Sequence, residues 1–313
     1  MAEEPAPSQS TAHLERMLEI IPSRLRSARA RFTVSTHRSE ALFALRPTVK
    51  LPECCAPRPG SVLRSSPPEE TESVDWAFSG DRLYHNSESS FWGHRIDVVD
   101  GDHMSTFREC TIPGFKTSPQ GSIRGRPLQF TSPLDFGYFI ECRWIFDILK
   151  GCDTFIKERE KDPTFGDVVS VESVQREGNV YRLWFAPERG YMAVSADYEQ
   201  HNSVDPDRWY VTRVRCDRAI EDNGIWFPGS GVSEKFQVLS NDVEHPVPFI
   251  RRDYIATSVQ VNHVPESLFD MNFPTGTMIW DAINRKRYYM GDDRASIAEP
   301  GTCRTRSPIP ISR

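Results

Sequence analysis

The sequence predicts a mainly β protein, one curved antiparallel sheet joined by short turns and covered by a helix. Three observations carry this reading. Ile255, Thr257, Val259 and Val261 alternate with largely polar positions, the period of two expected of a strand with one wet and one buried face. From Val168 onward, strand-like runs follow one another across the tight turns Glu177-Gly178-Asn179, Pro187-Glu188-Arg189-Gly190 and Asp222-Asn223-Gly224. Between Ser132 and Gly151 lies the one long aromatic segment with both a helix start and a helix stop.

Taken in order, Thr11 caps a helix carrying Leu14, Met17, Leu18, Ile21, Leu25 and Ala28, which Pro22 kinks or splits. Ala28, Ala30, Phe32 and Val34 then alternate with polar residues as an amphipathic strand. The proline-rich stretch 46–73 is read as a loop inserted between strands. Two hairpins follow, one around Trp76 to Tyr84 and one around Ile96 to Met104, where Asp100-Gly101 is a tight-turn dipeptide. Ser132 as cap, Pro133 at the first helical position and Gly151 as terminator frame a helix over 132–151. That helix is apolar on most sides and so demands burial on more than one face, as a lid or plug in a concave sheet. Strands at Val168–Val174, Val180–Ala186, Tyr191–Asp197, Trp209–Ile220, Ile225–Pro228 and Val232–Leu239 complete the meander.

A formal net charge of -6 gives no global basic field, so nucleic acid is not an expected partner. The stretch 284–313 is locally basic and is read as a solvated, flexible tail; 1–10 is a flexible N-terminal segment, and 11–283 one domain. The seven cysteines form no C-x-x-C and have no histidine at zinc-finger spacing, so neither a structural zinc nor another metal site is expected. No run reaches the length of a membrane span. The polar, Pro/Ser-rich Met1–Ser10 resembles the first residues after signal cleavage, yet no apolar leader core precedes it. Export and a cytoplasmic location both stay open on that ground.

No stretch spells out a catalytic chemistry, and no cofactor motif is present. Gly229-Ser230-Gly231 starts like a phosphate cradle but lacks the third glycine and the following helix. Asp100, Asp102 and His103 are read as a turn, and His85, His94 and His103 as surface or loop residues. Arg143 and Asp147 can pair at helical spacing. The apolar strand faces form the main constellation: Phe32, Val34, Trp76, Phe78, Tyr181, Leu183, Phe185, Val214, Phe236, Val259 and Val261 line either an apolar groove or an ordinary filled core.

Several segments resemble the LolA-like, outer-membrane lipoprotein-sorting family. These are the opening helix with Ser27 to Phe32, the Trp76-to-Arg82 strand and turn, the Leu183-to-Tyr191 hairpin, Ile225 to Pro228, and the close from Ser267 to Asp281. The resemblance implies an unclosed half β-barrel with helices over its mouth, located in the periplasm or cell envelope of a bacterium. It also implies that the concavity binds an acyl chain, a lipoprotein or another apolar ligand without catalysis. A protein-interaction or sensory module, its barrel filled by its own side chains, is the alternative, and a structure without an internal cavity favours it. A hydrolase or lyase is a second alternative. It requires two or three of Glu141, Arg143, Asp147, Asp205 and His201 to converge at the mouth.

Overall fold

Alternating burial runs through most of the chain, and the strands that carry it join into one curved, fifteen-stranded sheet. The structure, a computed structural model, describes residues 19–20, 23–39, 69–90, 93–109, 111–112, 115–116, 118–125, 135–140, 143–151, 153–175, 178–201, 208–239 and 248–291. The first half of the sheet is built by β1 (Ser27–Arg38), β2 (Glu69–Ser79), β3 (Arg82–Ser89), β4 (Gly93–Asp100) and β5 (His103–Glu109). After the two-residue strands β6 (Thr111–Ile112) and β7 (Phe115–Lys116) comes β8 (Gln120–Gly125). A small hairpin, β9 (Phe139–Ile140) with β10 (Arg143–Trp144), leads into α1 (Ile145–Gly151).

The second half comprises β11 (Asp153–Asp162), β12 (Gly166–Val174), β13 (Val180–Ala186), β14 (Met192–His201), β15 (Arg208–Asp222), β16 (Ile225–Leu239) and β17 (Ile250–Val261). β18 (Met278–Asp281) and β19 (Lys286–Tyr289) finish it. The spatial order is β11-β12-β13-β14-β15-β16-β17-β1-β2-β3-β4-β5-β8-β18-β19, so the two halves meet where β17 pairs with β1. Among the described residues β11 and β19 stay unpaired on their outer sides, and the barrel is unclosed.

This topology has a direct consequence for the concave face. β8 lies near one edge of the sheet and β11 forms the other, so the connection between them must cross from side to side. The described part of the crossing, residues 135–140 and 143–151, is a strap lying in the concavity. Ile140, Ile145 and Ile148 are fully buried there, with Phe139 and Phe146 at 1% exposure.

Several expectations change in detail. The helix expected over 132–151 is only seven residues long; Gly137, at φ +64, makes a turn against Pro228, and the β9–β10 hairpin takes the middle of the segment. Its expected start, Ser132 to Leu134, lies outside the described residues, as do Leu14 to Leu18 of the opening helix. β2 begins at Glu69, inside the stretch read as a loop, and β19 falls inside the stretch read as a tail. The two strands expected between Ile225 and Leu239 are one continuous strand. Within it, a Cβ on Gly231 would lie 2.0 Å from the Arg215 carbonyl oxygen, so this glycine serves close backbone approach and not phosphate binding.

The period-two reading of β17 also breaks at one point. The pairing register between β1 and β17 shifts by one residue at Thr257, whose hydroxyl donates to the Arg31 carbonyl at 3.2 Å. The bulge reverses the buried face. Tyr254 and Ala256 point inward before it and Val261 after it, leaving Ile255 56% exposed.

Candidate functional site

Two cross-strand rows of the concave face change from apolar to polar at β3, while a third, Ala28, Phe78, Leu83, Val99 and Met104, stays apolar as far as β5. One cross-strand row runs Ala30, Trp76, His85, Asp97, Thr106, Ser122 and Trp280. A neighbouring row runs Phe32, Val74, Ser87, Arg95, Arg108 and Gln120. Both change from hydrophobic to polar between β2 and β3.

The strap packs into the apolar cluster. Phe136 stacks on Tyr254 with centroids 4.9 Å apart, and Phe139 meets Trp76 at 5.1 Å. Trp144 contacts Phe78 at 4.6 Å, and Phe146 reaches Phe185 at 6.5 Å. Burial raises the pKa of both Tyr138 and Tyr254; the Tyr138 hydroxyl donates to the Trp226 carbonyl at 3.2 Å. Asp135 anchors the start of the strap, 3.0 Å from the Lys235 ammonium and 3.7 Å from the Arg252 guanidinium.

Most residues expected to line an apolar groove belong to this one cluster. Phe32, Val34, Trp76, Phe78, Tyr181, Leu183, Phe185, Val214 and Val261 are buried in it, and Val259 packs against it half-buried. Phe236 is buried apart from the cluster, beneath the Arg213 guanidinium at 5.3 Å from its ring centroid. Among the second set, Asp147 is exposed; Glu141, Asp205 and the side chains of Arg143 and His201 lie outside the described residues.

Two cavities on this face have largely polar linings. One, about 210 Å³, lies between β17, β1, β2, β3 and β4, and is lined by Arg38, Glu70, Glu72, His85, Arg95 and Arg252 among others. Glu70 accepts from Arg38 at 3.0 Å and from the Ser89 hydroxyl. Asp97 lies behind the cavity, 2.6 Å from Arg95 Nε as a charge pair without an aligned hydrogen bond, and it accepts from Thr106 at 2.8 Å. His85 Nδ1 lies 3.7 Å from Asp97 Oδ2, beyond hydrogen-bond length, and is buried without a hydrogen-bond partner. His85 is thus an inner residue rather than a surface one, as its place in the Trp76–Asp97 row requires.

Burial dominates the Glu72 carboxyl and raises its pKa, with His85 and Arg252 acting against the rise. Asp97 shifts the other way. Burial would raise it, but His85, Arg95 and Thr106 together outweigh that effect. Sequence reading missed this cluster because its members come from five strands and share no local spacing. The only local signal was polar residues at the inward positions of β3 and β4.

The second cavity, about 420 Å³, lies on β5, β8, β18 and β19 and is lined by Arg108, Arg124, Arg287, Gln120, Ser122 and Trp280 among others. Among the described residues no three His, Cys, Asp or Glu side chains converge as metal ligands, and no helix is long and apolar enough to cross a membrane.

Neither a protein-family model nor a curated protein matches the chain. Among solved structures, a DUF1329 family protein from Desulfovibrio piger is similar with a TM-score of 0.48 and 9% identity, over 84% of this chain and 98% of that one. An outer membrane lipoprotein-sorting protein domain from Vibrio parahaemolyticus is similar with a TM-score of 0.46 and 9% identity, over 82% of this chain and 97% of that one. The second is of the kind that the sequence resembles.

Proposed function

We propose that this chain is a non-enzymatic binding protein on a lipoprotein-carrier-like half-barrel, and that it takes its ligand on the polar-lined part of the concave face. The observation that carries the reading is how that face is lined: the strap packs into the apolar cluster, while the cavities of about 420 and 210 Å³ are lined mainly by polar side chains. Magnitudes support the same choice. The strap buries Phe136, Tyr138, Phe139, Ile145, Phe146, Ile148 and Leu149 and half-buries Trp144; at roughly 1.5–3 kcal/mol for each buried side chain they stabilise the closed state by on the order of 10–20 kcal/mol. A sixteen-carbon acyl chain gains about 0.8 kcal/mol per methylene and must also lose its translational freedom, so it does not displace the whole strap.

One feature favours the second reading, an acyl-chain carrier of the cell envelope. Among the described residues the strap has its own two-stranded pairing and takes no place in the large sheet's ladder, so it can leave without breaking that ladder. Phe139 and Trp144 are the side chains an acyl chain would replace.

A single set of titrations separates the two. Delipidated, folded protein is mixed with an environment-sensitive fatty-acid probe, and in parallel its unfolding midpoint is followed across a panel of small charged solutes. The polar-cavity reading expects no probe enhancement and a rise in midpoint with at least one solute, abolished by Arg252→Gln or Arg108→Gln. Saturable probe binding weakened by Trp76→Asp would establish the carrier reading instead. The envelope location belongs to the same proposal, and fractionation of cells expressing the native gene tests it.

A further inference from the structure

We infer that the larger polar cavity is a site for a phosphoryl group, held by Arg108, Arg124 and Arg287 with Trp280 as its wall. The inference rests on the polar-cavity reading and names its ligand.

The cavity's lining contains three guanidiniums and no carboxylate. They come from different strands: Arg108 on β5, Arg124 on β8 and Arg287 on β19. The register adds a fourth, because Arg95 on β4 is the direct cross-strand partner of Arg108. Like charges placed opposite one another on a sheet repel, so this arrangement costs stability unless something neutralises it. Asp97 does not suffice, since it is buried and already committed to Arg95 and Thr106.

Among the described residues, Arg108, Arg124 and Arg287 make no compensating ion pair. Arg124 donates to the Met104 sulfur at 3.0 Å, and Arg287 lies over Trp280 with 5.4 Å to the ring centroid. Burial lowers the Arg108 pKa, and the neighbouring Arg95 and Arg124 lower it further against the pull of Asp97. A bound anion reverses that repulsion.

The chemistry of the lining selects the anion. Guanidinium forks match the oxygen spacing of a phosphoryl group, and convergence of several suits a dianion better than a single carboxylate. Thr106, Gln120 and Ser122 add neutral hydrogen-bonding groups, while Met278 and Trp280 offer an apolar wall. At about 420 Å³ the cavity has room for an organic portion beyond the phosphoryl group. That portion can come from a soluble phosphate ester or from a lipid headgroup.

The test is calorimetric titration of the full chain at low ionic strength with inorganic phosphate, glycerol 3-phosphate and dodecyl phosphate. Saturable binding is expected, weakened roughly tenfold or more by Arg108→Gln and again by Arg287→Gln, and reduced by added salt. Arg218→Gln, an exposed charge on β15, should leave it unchanged. Equal affinity for the two esters identifies a soluble ligand, and tighter binding of dodecyl phosphate identifies a lipid phosphate; either outcome supports the site. Absence of binding to all three, or loss with Arg218→Gln as large as with Arg108→Gln, overturns it. Such a failure leaves the polar-cavity reading to the solute panel and the fatty-acid probe, which do not depend on phosphate.

Discussion

The indole of Trp76 meets the ring of Phe139 edge-on, with centroids 5.1 Å apart and planes at 81°. Both side chains are 1% exposed. Trp76 belongs to the sheet and Phe139 to the strap, so this contact joins the crossing segment to the barrel floor in one core. Edge-to-face geometry adds to the area buried, and the neighbouring Phe78 and Trp144 rings extend it.

Phe139→Ala should therefore destabilise the fold by about 3–5 kcal/mol, the range for a large aromatic removed from a packed core. Ile145→Asp should cost several kcal/mol more gravely, through an unpaired charge at a fully buried position. Urea unfolding checks both against Tyr289→Ala at the exposed edge strand, expected within about 0.5 kcal/mol of the parent. Similar midpoints for Phe139→Ala and Tyr289→Ala would show that the strap is not part of the core.

Gly231→Ala should be severely destabilising although it adds one methyl group. The new Cβ would lie 2.0 Å from the Arg215 carbonyl oxygen and 2.6 Å from the Phe136 ring, so β15 or the strap must move. Gly125→Ala, with open space around its Cβ, is the control. Equal stability of the two variants refutes the close approach.

Glu72 and Asp97 should give pH dependences of opposite sign. The folded pKa of Glu72 is raised, so its ionisation disfavours the fold as pH climbs from the unfolded carboxylate range through the folded value. Glu72→Gln should then stabilise the protein at neutral pH, with the gain vanishing in acid. The folded pKa of Asp97 is depressed, so its contribution is present above the unfolded value and lost as pH falls through the folded one. Asp97→Asn should destabilise at neutral pH and less so in acid. Chemical denaturation from pH 3 to pH 8 reads both slopes, and parallel curves for the two variants would contradict the assignment.

Burial pushes the Cys216 thiol up to about 12, and its sulfur donates to the Arg218 carbonyl. Native protein should leave this thiol unalkylated by iodoacetamide over hours, while unfolded protein reacts at once. Peptide mass spectrometry at pH 8 measures it. Rapid native labelling of Cys216 would place it at the surface.

Much of the sheet was legible because its strands keep a period of two and their turns carry Gly, Asn or Asp. Gly101 at φ +54 and Asn223 at φ +53 hold the backbone conformations that their turn dipeptides foretold. The apolar cluster was legible for the same reason. β11 was not, since DTFIKEREKD is mostly charged on an edge strand, and its strand state depends on pairing with β12. The helix over 132–151 was overestimated because cap and stop signals describe the ends of a segment, whereas Gly137 and the β9–β10 hairpin interrupt its middle. The polar lining depends on which strand lies beside which, information that arises only when β3, β4, β5, β8 and β18 assemble.

Hydrogen exchange of the Ile145–Leu149 amides, with and without excess oleate, decides whether the strap is a fixed part of the core. A barrel sealed by its own strap holds these amides at the protection of the central strands β13 to β16, and oleate leaves that protection unchanged. Exchange as fast as an exposed loop, or protection lost on adding oleate, would show that the apolar cluster opens and that the strap is a lid over a lipid site.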